Sequence, residues 1–104
     1  MTGSDIAEYL KDYHSSETEA IKARELCSLF NLSNRDIRNV VNGLRQEGEP
    51  ICSSSSGYWY STEPADINKT IHRLEGQVKN MNSSIKGLKK VLTGGNYEDY
   101  NRDN

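Results

Sequence analysis

The sequence predicts a mainly α-helical chain with one small β-hairpin and a long C-terminal helix. Three observations carry that prediction. Apolar residues recur at helical spacing in three short segments before residue 48. Two short β-prone runs then flank a serine-glycine turn. From residue 67 onward, apolar residues follow one another at alternating steps of four and three.

The elements follow in order. Ser4 is placed as an N-cap, and Ile6, Ala7, Tyr9, Leu10 and Tyr13 repeat at helical spacing behind it. This first helix is expected to end near His14-Ser15-Ser16. Glu17 to Glu19 read as a polar connection, and Ala20-Ile21-Lys22 as one short strand. Ala23 to Phe30 form a second helix, with Leu26, Cys27, Leu29 and Phe30 turned inward. Asn31-Leu32-Ser33 is a tight break. Ser33 caps a third helix over 34–47, and Asp36 three residues on completes a capping box with the shorter acid. Ile37, Val40, Val41 and Leu44 form its buried stripe, and Gly48 is placed to end it. Pro50 to Ser53 and Tyr58 to Ser61 read as hairpin strands around Ser54-Ser55-Ser56-Gly57. Pro64 suits the first turn of a helix that runs to about Leu92 and stops at Gly94-Gly95.

This order, with a short break between helices two and three and a hairpin directly after helix three, is that of a winged helix-turn-helix followed by a long C-terminal coiled-coil helix. The expected organisation is a winged domain over 1–62, a pairing helix over 63–93, and an acidic, disordered tail over 94–104.

Composition narrows the function classes. Only 34 % of the 104 residues are hydrophobic, so the core must be small and part of the chain must lie outside it or be shared. The net charge of −2 argues against a non-specific DNA packager. Asp5, Glu8, Asp12, Glu17 and Glu19 stand against Lys11 in residues 1–19, whereas lysines and arginines dominate the long helix. No apolar run is long enough to span a bilayer, and the first residues lack the basic start and apolar stretch of a signal peptide. Cys27 and Cys52 are too few and too far apart for a secreted framework. A cytoplasmic chain with reduced thiols and no membrane association is expected. His14 and His72 have no partner at ligand spacing, and nothing matches a phosphate-cradling glycine loop. Neither a catalytic set, a metal nor a cofactor is expected.

The stretch NLSNRDIRNVVNGLRQEGEPICSSSSGYWYSTEPADINKTIHRL resembles the winged helix-turn-helix proteins of bacteriophages and prophages of Gram-positive bacteria. The resemblance covers about residues 20–75. Its most specific part is the wing, Pro50-Ile51-Cys52 through Gly57-Tyr58-Trp59-Tyr60. It implies this fold and a DNA-binding role. The chain departs from the pattern at the wing tip, where many winged domains carry an arginine or lysine and this one has serines and glycine. The resemblance therefore does not carry minor-groove insertion over to this wing.

The candidate site lies on the third helix. Opposite its apolar stripe stand Arg35, Arg38, Asn39, Asn42, Arg45 and Gln46. Arg35, Arg38, Asn42 and Arg45 form one ridge, spaced three, four and three. Arginine reads guanine and asparagine reads adenine by paired hydrogen bonds in the major groove. Ser33 and Asn34, at the helix start, are placed to meet a phosphate. Ser55 in the wing turn is a candidate phosphate donor. Tyr58 and Tyr60 share one face of the hairpin and Trp59 the other. Trp59 is then either exposed, to stack on nucleic acid or enter a partner, or packed under the long helix.

In that long helix Ile67, Leu74, Met81 and Leu88 take d positions, and Ile71, Val78, Ile85 and Leu92 take a positions. β-branched a residues with Leu-like d residues favour a two-stranded parallel coiled coil. An antiparallel pair, or a helix folded back over the domain, remains open. The function expected from the whole is a dimeric, sequence-specific regulator on double-stranded DNA. Two alternatives are a phage-type adaptor or inhibitor that binds a host protein through the wing and acidic surfaces, and a replication-origin binder.

Overall fold

The computed structural model describes residues 2–94; Met1 and residues 95–104, which hold all but the first residue of the tail expected over 94–104, lie outside them. The described chain is mainly helical. It runs α1 (Thr2–Tyr13), a 3₁₀ turn (Glu17–Glu19), α2 (Ala23–Phe30), α3 (Asn34–Gln46), β1 (Ile51–Ser54), β2 (Gly57–Tyr60) and α4 (Pro64–Thr93). A compact unit spans Met1–Thr70, and a second begins at Ile71. The first turns of α4 thus belong with the N-terminal unit, although the sequence places the boundary between residues 62 and 63.

The core of the first unit follows from the helical stripes. Ile6, Ala7 and Leu10 of α1 meet Leu26 of α2, Ile37, Val41 and Leu44 of α3, and Ile21 and Ile51 from the strand segments. Tyr9, Phe30, Leu32, Val40, Tyr58 and Tyr60 close its edges. Two sequence expectations shift here. α1 begins at Thr2, ahead of the expected Ser4 cap. Leu29 is 56 % exposed rather than inward. The short α2 buries only the Leu26 side of its stripe, and Leu29 lies past the edge of the packed face.

The break between α2 and α3 is built as the sequence suggests. Asn31 turns the chain with a φ of 56°, a conformation that asparagine tolerates. The Ser33 hydroxyl accepts from the Asp36 amide (3.1 Å), and the Asp36 carboxylate accepts from the Ser33 amide (3.2 Å). The capping box is therefore closed from both sides.

The hairpin registers Ile51 with Tyr60, Cys52 with Trp59, Ser53 with Tyr58 and Ser54 with Gly57. Its turn is the pair Ser55-Ser56, tighter than the expected four-residue connection. Of the expected strand Ala20-Ile21-Lys22, only Ile21 pairs, exchanging two backbone hydrogen bonds with Tyr58 at 2.9 and 2.8 Å. That contact fixes Gly57. Its φ is +126°, and a Cβ there would stand 2.3 Å from the Ile21 carbonyl oxygen. Only glycine admits both the backbone conformation and the close approach.

The two faces of the hairpin have different roles. Ile51, Tyr58 and Tyr60 face the main core. Cys52 and Trp59 face the other way and are also buried, at 1 % and 0 % exposure. Asp66 in the first turns of α4 accepts a hydrogen bond from the Trp59 indole (3.3 Å) and one from the Ser61 hydroxyl (2.7 Å). The Ser61 hydroxyl also accepts from the Glu63 amide at 3.1 Å, one of the unpaired donors at the start of α4. Thr70, buried one turn further on, accepts from the Ser53 amide at 3.2 Å and donates to the Asp66 carbonyl at 3.1 Å.

Two predictions follow from this packing. Gly57→Ala should lower stability by about 2 kcal/mol or more, from an incompatible backbone and a backbone clash, read by urea unfolding. Burial raises the Cys52 thiol above its ordinary range, so Cys52 should resist a thiol reagent in the native protein and react on unfolding. The half-buried Cys27 should label first, which mass spectrometry of timed aliquots resolves.

Candidate functional site

The exposed face of α3 is what its buried stripe leaves over. Ile37, Val41 and Leu44 fix the rotation of the helix about its axis. Arg35, Arg38, Asn39 and Asn42 are all exposed as a consequence. Asp36, the acid within this first turn, is held by the capping box, so the outward face presents two guanidinium groups and, with the exposed Gln46, three amides.

The remaining sequence candidates separate. Ser33 is exposed at the start of α3, with its hydroxyl engaged in the cap. Asn34 is exposed, but its side-chain oxygen accepts from the Cys27 thiol at 3.3 Å. That contact ties the first residue of α3 to the last turn of α2. Arg45 does not continue the open ridge. It is half-buried, its Nε donates to the Ile51 carbonyl (2.8 Å), and its Nη2 donates to the Ser53 hydroxyl (3.1 Å). It fastens the last turn of α3 to β1. Ser55 is exposed at the hairpin turn. Trp59 must be corrected. It is buried between the hairpin and the start of α4, and has no face left to stack on a nucleic acid or enter a partner.

One residue passed over in the sequence joins the candidate site. The Lys22 ammonium donates to the Ser55 carbonyl at 2.6 Å. The hairpin turn therefore carries a cation after all, supplied across 33 residues of chain by the segment that pairs with β2. The only sequence signal for it was Ala20-Ile21-Lys22 as a strand, which would set Lys22 next to the hairpin. Nearby Lys69 bridges to Glu17 at 2.7 Å. That bond, with a hydrogen bond from Ser54, holds the Glu17 carboxyl below its ordinary range.

The long seam stands as follows. Ile67 and Leu74 are half-buried, whereas Ile71, Val78, Met81, Ile85, Leu88 and Leu92 are exposed. Among the described residues, no cluster of three His, Cys, Asp or Glu forms a metal site. No described helix is long and apolar enough to cross a membrane. Comparison with protein-family models, curated proteins and solved structures yields no match.

The different positions of Arg45 and Arg38 give a test. Arg45→Ala should cost about 1–3 kcal/mol, because it removes charge-assisted hydrogen bonds to a half-buried carbonyl and hydroxyl. Arg38→Ala should change stability by less than about 0.5 kcal/mol, as an exposed substitution. Thermal unfolding of the two variants side by side measures both.

Proposed function

We propose that the chain is a winged helix-turn-helix protein that binds double-stranded DNA sequence-specifically, as a transcriptional regulator, with α3 in the major groove. The observation that carries this reading is the exposed face of α3. Arg35, Arg38, Asn39 and Asn42 stand together on it, and both residue types present paired donors or donor-acceptor sets that match base edges. α3 follows α2 after a three-residue break, the arrangement in which a second helix enters the groove. The hairpin and Lys22 serve the phosphate backbone. The Lys22 ammonium has donors beyond the one given to Ser55, and Ser55 and Ser56 are exposed beside it.

Charge supports the same division of labour. The chain has a net charge of −2, so no overall field draws it to DNA. Affinity then rests on a few local cations, and sequence preference on α3. The adaptor reading drew on the acidic ends, the missing wing cation and an exposed Trp59; Trp59 is buried and gives it no support.

Band-shift titration against genomic fragments, with competitor DNA, tests the reading. Arg38→Ala combined with Asn42→Ala should remove the preference for the selected fragment, at about 1–3 kcal/mol per lost base contact. Lys22→Ala should instead weaken all fragments alike and reduce the slope of log affinity against log salt by about one. An unchanged preference in the double variant would remove α3 as the reader.

A further inference from the structure

The feature left without a role is the exposed apolar face of α4. We infer that this face is the docking surface for a second copy of the same chain, in a parallel, in-register two-stranded coiled coil over Ile71–Leu92. The inference does not depend on whether DNA is the ligand.

The apolar residues settle the class of occupant. From Ile71 to Leu92 the a and d positions are Ile71, Leu74, Val78, Met81, Ile85, Leu88 and Leu92, without a polar interruption. Leu88 and Leu92 are 69 % and 75 % exposed, and Ile85 is 47 % exposed. The stripe is the narrow a/d seam of paired helices rather than the broader face that packs on a globular core. The segment is roughly 32 Å long at 1.5 Å per residue. Two such seams would bury on the order of 1,200 Å² in total, the lower end of what stable, specific interfaces bury.

The residue types select a second copy over a lipid surface. A helix lying on an anionic membrane sets a lysine-rich polar face against an apolar face that carries Trp, Phe and Leu, whereas Ile71–Leu92 holds no Trp, Phe or Tyr. Here the flanking e and g positions hold Glu75, Asn82, Lys89, Gln77, Ser84 and Val91. Arg73, Lys79, Lys86 and Lys90 sit at b, c and f, on the far side of the helix from the seam. In a two-stranded coil those four cations stay in water, and largely uncharged e and g positions flank the seam.

The seam residues also select the orientation. Three of the four a residues, Ile71, Val78 and Ile85, are β-branched and the fourth is Leu92, and the d residues are Leu74, Met81 and Leu88. That is the distribution of parallel dimers. The parallel register sets Gln77 against Asn82 and Ser84 against Lys89 of the second copy, with no like charges opposed. An antiparallel pair would draw on Glu75 against Lys89, an exposed ion pair of little weight.

Sedimentation equilibrium of the full chain, without DNA, tests this. A monomer–dimer equilibrium is expected. Residues Ile71–Gly94 carry Arg73, Lys79, Lys86, Lys89 and Lys90 against Glu75, so added salt should tighten the dimer by screening two like-charged helices. Ile85→Lys should weaken it on the order of a hundredfold, by placing an unpaired ammonium in the seam. Leu92→Cys should form an interchain disulfide under mild oxidant, because only the parallel register brings the two copies of position 92 together; wild type, with Cys27 and Cys52, is the control. A monomer at all concentrations overturns the inference. So does a dimer that salt weakens and Leu92→Cys does not cross-link, which would mark the antiparallel pair. Flotation of the wild type with phosphatidylserine vesicles, lost in Ile85→Lys, would overturn it in favour of a membrane surface.

Discussion

The N-terminal unit depends on one buried junction, the Asp66 carboxylate beneath the Trp59 indole and the Ser61 hydroxyl. A two-stranded hairpin is marginal on its own. This one is buried on both faces. One face lies on the core of α1, α2 and α3, and the other is closed by the first turns of α4. The largest side chain in the sequence lies in that second layer, and its one polar atom is satisfied there. Without the junction, Cys52, Trp59 and Thr70 would lose their cover together. The start of α4 would also lose the cap that Ser61 provides.

The same hairpin organises the candidate site from its two ends. Arg45 binds its base to the last turn of α3, and Lys22 and Ile21 bind its turn to the segment before α2. The exposed face of α3 is thus held by a frame that includes non-adjacent parts of the chain. Arg45 contributes to that frame by giving up its guanidinium to β1, so the face is left with Arg35 and Arg38 as its cations.

Much of the fold was legible because it rests on local rules. The period of Ile37, Val41 and Leu44 oriented α3, and Ser33 with Asp36 marked its start within a residue. The extent of α4, expected to about Leu92 and observed to Thr93, was readable for the same reason. What was not legible depended on pairing across distance. Strand parity placed Trp59 opposite Tyr58 and Tyr60, but parity cannot tell an outer face open to water from one covered by a later helix. Helical spacing placed Arg45 on the ridge of Arg38 and Asn42, yet in the last turn of α3 that ridge lies within reach of the Ile51 carbonyl. Lys22 meets Ser55 only through the bridge at Ile21 and Tyr58, which no local pattern specifies.

Trp59 is the single tryptophan of the chain, and its burial has an optical consequence. All indole fluorescence of the protein arises at the contact between hairpin and α4. Emission should therefore be blue-shifted in the folded state. A red shift that precedes loss of helical ellipticity would report the lifting of α4 from the hairpin while α1, α2 and α3 remain packed. The protein thus carries an intrinsic probe for one seam of its structure, distinct from probes of global unfolding.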